Sequence, residues 1–336
     1  MRKINFVLFL GGLVTLIFVL SSCMNIPAFV PSNMIYVATQ EGINVIDGQA
    51  NTVVANIPIN MNFGFMAVNP NTNLIYVSSP ASNTITVISA TTTQILTTIA
   101  VDGVTQLAVN PNTNLIYCID NEGVSVISGI SNTVTYTINF SNGQYRFMSS
   151  GLYAIGINPT TNKIYVCSHS YPYSIVNIID GNTNNVIGNV RINDSYIPKL
   201  VVNPTTNEIY ALVPDIYSYG AIIIIGGQTN TVVGNINFEF DSPVDIGVNP
   251  NTNLVYITRA SGILSVVDGS TNQLITTVTA TQGLTGSIGV NPTTDMIYVS
   301  NSNFYENTVD VINGQTNTVI KTIPVGEEPG EIGILY

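Results

Sequence analysis

Tryptophan is absent from these 336 residues, and there is one histidine, His169. A lone imidazole cannot build a multi-histidine metal site or a mechanism that needs two histidines. Basic residues are scarce as well: Lys+Arg number 8 against 19 Asp+Glu, a formal charge of −11. A chain so poor in cations has no means of gripping phosphate backbones, so no nucleic-acid partner is expected. Charged residues make up 8 % of the chain and apolar residues 45 %, which excludes disorder of the charge-rich, apolar-poor kind. Cysteine is limited to Cys23, Cys118 and Cys167. A chain of this length buries enough core to need no disulfide staple, and the odd count asks what sets one cysteine apart. No Gly-rich phosphate loop, Ser-His-Asp set or haem-attachment cysteine pair is visible, so no cofactor is implied.

The N-terminus carries an address. Arg2 and Lys3 precede an apolar run over residues 4–20, followed by Leu20-Ser21-Ser22-Cys23. Charge, apolar run and small residues in that order read as a secretory signal. The final tetrapeptide resembles the lipobox of prokaryotic lipoproteins, which implies cleavage before Cys23 and lipidation of that residue. Residues 1–22 are then the signal peptide and residues 23–33 a short tether. The competing reading is an uncleaved membrane helix, for which a run this short lies at the bottom of the spanning range. Both readings place the remainder outside the cytoplasmic membrane. Cleavage would remove two positive charges and no negative ones, leaving 6 − 19 = −13. Acyl chains, not charge, would hold such a chain at a membrane.

The rest of the chain is a repeat. An aliphatic-Tyr pair recurs at Tyr36, Tyr76, Tyr117, Tyr165, Tyr210, Tyr256 and Tyr298. From the second unit on, an Asn-Pro turn precedes it. The spacings are 40, 41, 48, 45, 46 and 42 residues, so the repeats fill residues 34–336 and leave no room for another domain. Each unit reads as four short strands divided by turns. The second tight turn reads Asp47-Gly48, Asp180-Gly181, Asp268-Gly269 or Asn313-Gly314, which are hairpin signals. Seven such units predict an all-β, seven-bladed β-propeller of four-stranded antiparallel blades. Inner strands crowd the axis and favour small residues. Two residues before each turn Asn stand Ala67, Ala108, Gly156, Val201, Gly247 and Gly289. Gly333 extends the series, while the first unit lacks an inner strand of its own. Residues 331–336 are therefore expected to complete blade one and close the ring.

The unit resembles the YVTN repeat, seen in Gly289-Val290-Asn291-Pro292 with Ile297-Tyr298-Val299, and in Val311-Ile312-Asn313-Gly314 leading to Thr316-Asn317-Thr318-Val319. That family comprises extracytoplasmic propellers, some associated with surface layers. The resemblance spans about residues 30–336 and implies a cell-surface binding or adhesion role without transferable catalytic residues. The Trp-Asp signature of another propeller class is missing.

The repeated tyrosines are expected to pack between blades, with hydroxyls satisfied near turns. Function is sought instead in the variable loops. Blades three to five depart furthest from the repeat. There, Tyr145, Arg146, Phe147, His169, Tyr171, Tyr173, Tyr196, Tyr217 and Tyr219 form the candidate ligand-binding set. Tyrosine on a rigid frame gives large contact area at low entropy cost, which suits an envelope glycan or protein partner. Packing of these rings on one another, to order the loops, is the competing reading. Carboxylates also gather in the loops, with Asp241 and Asp245 as weak metal candidates. No Asp-x-Asp-x-Asp-Gly loop accompanies them. They leave open a second function, a metal-dependent propeller hydrolase or lyase, and a structural envelope-scaffold role is a third reading. Cys118 and Cys167 fall on second strands of adjacent units, displaced by one residue, and are expected to face opposite ways as free buried thiols, with a bridge as the alternative should those faces meet.

Overall fold

A computed structural model of the chain describes residues 33–59, 64–140, 152–170, 173–193, 196–214, 219–280, 285–303 and 306–336. The propeller lies within the unit Pro31–Tyr336. It contains seven four-stranded antiparallel sheets. Among the described residues the one helical piece is a single turn at Pro80–Ser82, and no helix is long and apolar enough to cross a membrane.

The inner strands of blades one to seven are Ile332–Leu335, Met66–Asn69, Leu107–Asn110, Leu152–Asn158, Lys199–Asn203, Pro243–Asn249 and Thr285–Asn291. Closure is as anticipated: Met34–Thr39 pairs with Ile332–Leu335, so blade one joins both chain ends. The axis is crowded. A Cβ on Gly289 would lie 2.5 Å from Ile332, and one on Gly333 2.7 Å from Val68.

Each repeated tyrosine is fully buried in the seam with the next blade. Tyr36 packs with Ile75 and Val77, and Tyr298 returns to Ile35 and Val37. Burying such a ring contributes roughly 1.5–3 kcal/mol. Their hydroxyls correct the expectation above. The Tyr36 hydroxyl donates to the Ala90 carbonyl at 3.3 Å, and that of Tyr210 to Asn272 at 3.0 Å and Glu208 at 3.1 Å. Those of Tyr76, Tyr117, Tyr165 and Tyr298 have no hydrogen-bond partner among the described residues. Burial pushes the hydroxyls of Tyr76 and Tyr165 up to about 12.

Antiparallel pairing places both tight turns of every blade on one face. The second-to-third strand loops and the blade-to-blade connections lie on the other. On the turn face, the Asn before each Pro does two jobs. Its carbonyl oxygen accepts the amide two residues on, as Asn69 does from Asn71 at 3.1 Å. Its amide donates to the left-handed Asn or Asp just before the second strand of the next blade: Asn69 to Asn114, Asn110 to Asn162, Asn158 to Asn207, Asn203 to Asn253, Asn249 to Asp295 and Asn291 to Asn33, at 2.6–2.8 Å. The seventh latch is missing because Leu335 holds that position in blade one, opposite Met34. The aspartates of the second turn bond their own backbone, as Asp47 does with Gln49 and Ala50.

Every outer strand carries a register shift at one repeat position, as between Val45 and Ile46 or Val311 and Ile312 in the adjoining strand. Bulges on exposed edges blunt sheet-to-sheet pairing.

Candidate binding face

Most of the described structure that differs between blades is on the loop face. Blade four brings three rings together there. Tyr153 is thrown out of register beside the axis by an irregularity between Leu152 and Ala154. His169 stands near the end of the second strand, opposite Ser174, and Tyr196 lies in the connection to blade five. Their centroids are 5.2 Å (Tyr153–Tyr196), 5.9 Å (His169–Tyr196) and 6.4 Å (Tyr153–His169) apart, all edge-to-face, the geometry aromatic quadrupoles favour. His169 Nδ1 is 3.0 Å from the Ser174 hydroxyl, which fixes the ring plane. Tyr196 keeps 45 % of its surface open. Burial, then Tyr153 and Cys167, raise its hydroxyl pKa. Tyr173 stands apart, with the Arg191 guanidinium 3.2 Å above its ring.

Of the sequence candidates, His169 and Tyr196 are thus brought together, joined by Tyr153, while Tyr173 is engaged elsewhere. For Tyr219 only the backbone, paired with Glu239, is described. Cys23, Tyr145, Arg146, Phe147, Tyr171 and Tyr217 lie outside the described residues. Asp241 and Asp245 have separate partners. Asp241 pairs with Arg259 at 3.2 Å and accepts the Ser261 hydroxyl at 2.7 Å. Asp245 is held by Lys199. Among the described residues no three His, Cys, Asp or Glu are grouped to hold a metal ion. Cys118 and Cys167 are free and buried. They pack toward blades two and five respectively, and burial pushes both thiols up to about 12.

A second group lines the axis and was not singled out from the sequence. Four residues before each latch position stand Glu331, Phe65, Gln106, Ala154, Lys199, Asp245 and Ser287, in blade order. Pairing puts them at one level: Ala154 opposite Cys167, Lys199 opposite Leu212 and Asp245 opposite Thr258, each two residues beyond the repeated tyrosine. Lys199 Nζ lies 2.6 and 2.9 Å from the two Asp245 oxygens and 3.8 Å from Glu331 Oε1 across the axis. Asp245 also accepts the Ile246 and Ile288 amides at 2.7 and 2.9 Å. Ser287 donates to Glu331 at 3.4 Å. Gln106 spans blades three to five, donating to the Pro198 carbonyl at 2.8 Å and accepting from the Ile155 amide at 3.3 Å. Burial alone would lower the Lys199 pKa, but Asp245 and Glu331 outweigh it and raise it. Burial raises that of Glu331 despite Lys199. The sequence signal was available: within strands of small and aliphatic residues, this one column holds the charges.

No protein-family model matches the chain, and no curated protein matches it. Solved structures do. Hydrazine synthase of Kuenenia stuttgartiensis superposes with a TM-score of 0.69 at 13 % identity, covering 82 % of this chain and 90 % of that one. The dihydro-heme d1 dehydrogenase NirN, in complex with DHE, gives 0.63 at 12 % identity, covering 90 % and 75 %. At such identities the likeness is one of fold.

Proposed function

We propose that this chain is a lipid-anchored recognition module of a prokaryotic cell surface, which binds an envelope glycan or protein through its loop face. The observation that carries the reading is the Tyr153–His169–Tyr196 triangle, assembled from three chain segments and partly open to solvent. Large amphipathic rings fixed on a rigid scaffold supply contact area without loss of rotamer freedom. The lipobox-like Leu20-Ser21-Ser22-Cys23 and the YVTN-like repeat supply the surface address.

The test is binding of the full-length, detergent-solubilised chain to isolated cell-envelope fractions. Tyr153→Ala and Tyr196→Ala are expected to weaken binding at least about tenfold, the scale of interface hot spots, with melting temperature nearly unchanged. Undiminished binding by both variants overturns the reading. Mass spectrometry of Cys23 tests the anchor separately, with Cys23→Ala expected to release the chain from the membrane fraction.

A further inference from the structure

The charged column around the axis is not required by the fold. Blade four places Ala154 at this level, so a methyl group satisfies the packing. Taking an ion pair out of water is often no better for stability than an apolar replacement. Lys199 and Glu331 nonetheless keep 30 % and 23 % of their side-chain surface open, at the loop-face end of the inner strands.

The spacing between these groups is informative. Asp245 is saturated by an ammonium and two backbone amides. Glu331 is not. Its contacts with Lys199 at 3.8 Å and Ser287 at 3.4 Å are both too long to be good hydrogen bonds. A hydroxyl oxygen set between Lys199 Nζ and Glu331 Oε1 would accept from the first and donate to the second, and so satisfy both. Two carboxylates against one ammonium repel an anionic ligand. A metal cation finds its place beside Asp245 taken by the ammonium of Lys199. A neutral hydroxyl group both donates and accepts, so it matches the mixed polarity. Phe65 at the same level, and Tyr153 with Tyr196 on the same face, offer apolar faces for the carbon skeleton of such a ligand.

We propose that the ring of axial side chains centred on Lys199, Glu331 and Ser287, at the loop-face end of the inner strands, is a binding site for a neutral polyhydroxylated ligand, a sugar ring or a short uncharged glycan. The proposal rests on the loop face being a recognition surface and names the chemistry it recognises. Titration calorimetry of the full-length chain against a panel of neutral mono- and oligosaccharides tests it. At least one saccharide should bind the native chain, and Glu331→Gln and Ser287→Ala should each weaken that binding, the former about tenfold, as expected for loss of a charged acceptor. Ser287→Ala puts in the residue that blade four already carries and keeps the test valid should Glu331→Gln not fold. No saccharide bound at millimolar concentration, or equal binding by the native chain and both variants, overturns the site. Envelope binding that depends on Tyr153 and Tyr196 would survive that outcome. Saccharide binding in the ring with no such dependence would instead remove the aromatic reading alone.

Discussion

The two faces of the propeller are built by the same blades and follow opposite rules. On the turn face one residue type recurs at a given position: six asparagines each cap a turn and latch the next blade at 2.6–2.8 Å. On the loop face, one equivalent position holds Glu331, Phe65, Gln106, Ala154, Lys199, Asp245 and Ser287. Repetition on one side and diversity on the other divide the work. The turn face and the tyrosine seams hold the ring. The loop face, relieved of that duty, carries groups whose presence the fold does not need.

The sharpest way to break this comparison is to remove the closing strand. Deleting residues 331–336 opens the edge of Met34–Thr39 and strips buried Ile332 and Leu335 from two seams. Each of those side chains contributes roughly 1.5–3 kcal/mol, and the lost ladder adds to it. Such a loss takes up much of a typical domain's stability. The truncated chain is expected to lose its cooperative thermal transition, followed by circular dichroism. A transition matching that of the intact chain would mean that the ring does not depend on closure.

Blade number, strand order and closure were all legible because each rests on local chemistry: Asn-Pro and Asp-Gly turns, alternating apolar residues and small residues near the axis. The latches were not. Asn69 reads in sequence as a turn residue, and nothing local says that its amide reaches Asn114 in the next blade. The tyrosine hydroxyls misled for a related reason. Burial of Tyr117 follows from the repeat, but a bond such as that of Tyr210 also needs Asn272 at the right distance, and that is tertiary. Of the site, His169 and Tyr196 stood out as aromatic residues in irregular loops. Tyr153 gained its place through a register irregularity no spacing reveals. Lys199 and Glu331 were visible as charges in apolar strands, but only an alignment of the strands on their turn asparagines puts them at one level.

The latches give the next largest effect. Asn203→Leu installs the residue that blade one carries at Leu335, so the site tolerates the shape. It removes the bonds to Thr205 at 3.0 Å and to Asn253 at 2.6 Å. At about 1 kcal/mol for each, a loss of roughly 2 kcal/mol in urea unfolding is expected. Loss below a few tenths would show that the turn face owes its repetition to something other than stability.

The seams sharpen the point. Tyr210→Phe deletes the bonded hydroxyl and should cost about 1 kcal/mol, whereas Tyr117→Phe deletes one without a protein partner and should be neutral or stabilising. Equal costs in the two urea midpoints would contradict the difference in hydroxyl bonding between these seams.

The smallest effect concerns Asp295, which departs from the asparagine found at the equivalent position of the other blades. Burial raises its pKa above the ordinary carboxylate value, and the Asn249 amide offsets only part of this. The folded state therefore holds this proton more tightly than the unfolded chain does. The ionised form carries a penalty that is complete above both pKa values and fades as the pH falls below them. Asp295→Asn keeps the acceptor for Asn249 and the left-handed backbone that asparagine tolerates, while removing the charge. The variant should melt slightly higher than the native chain at neutral pH, and the gain should shrink toward zero in acid. A gain that persists unchanged in acid would assign the effect to packing, and a loss at neutral pH would mean that the carboxylate itself strengthens the latch.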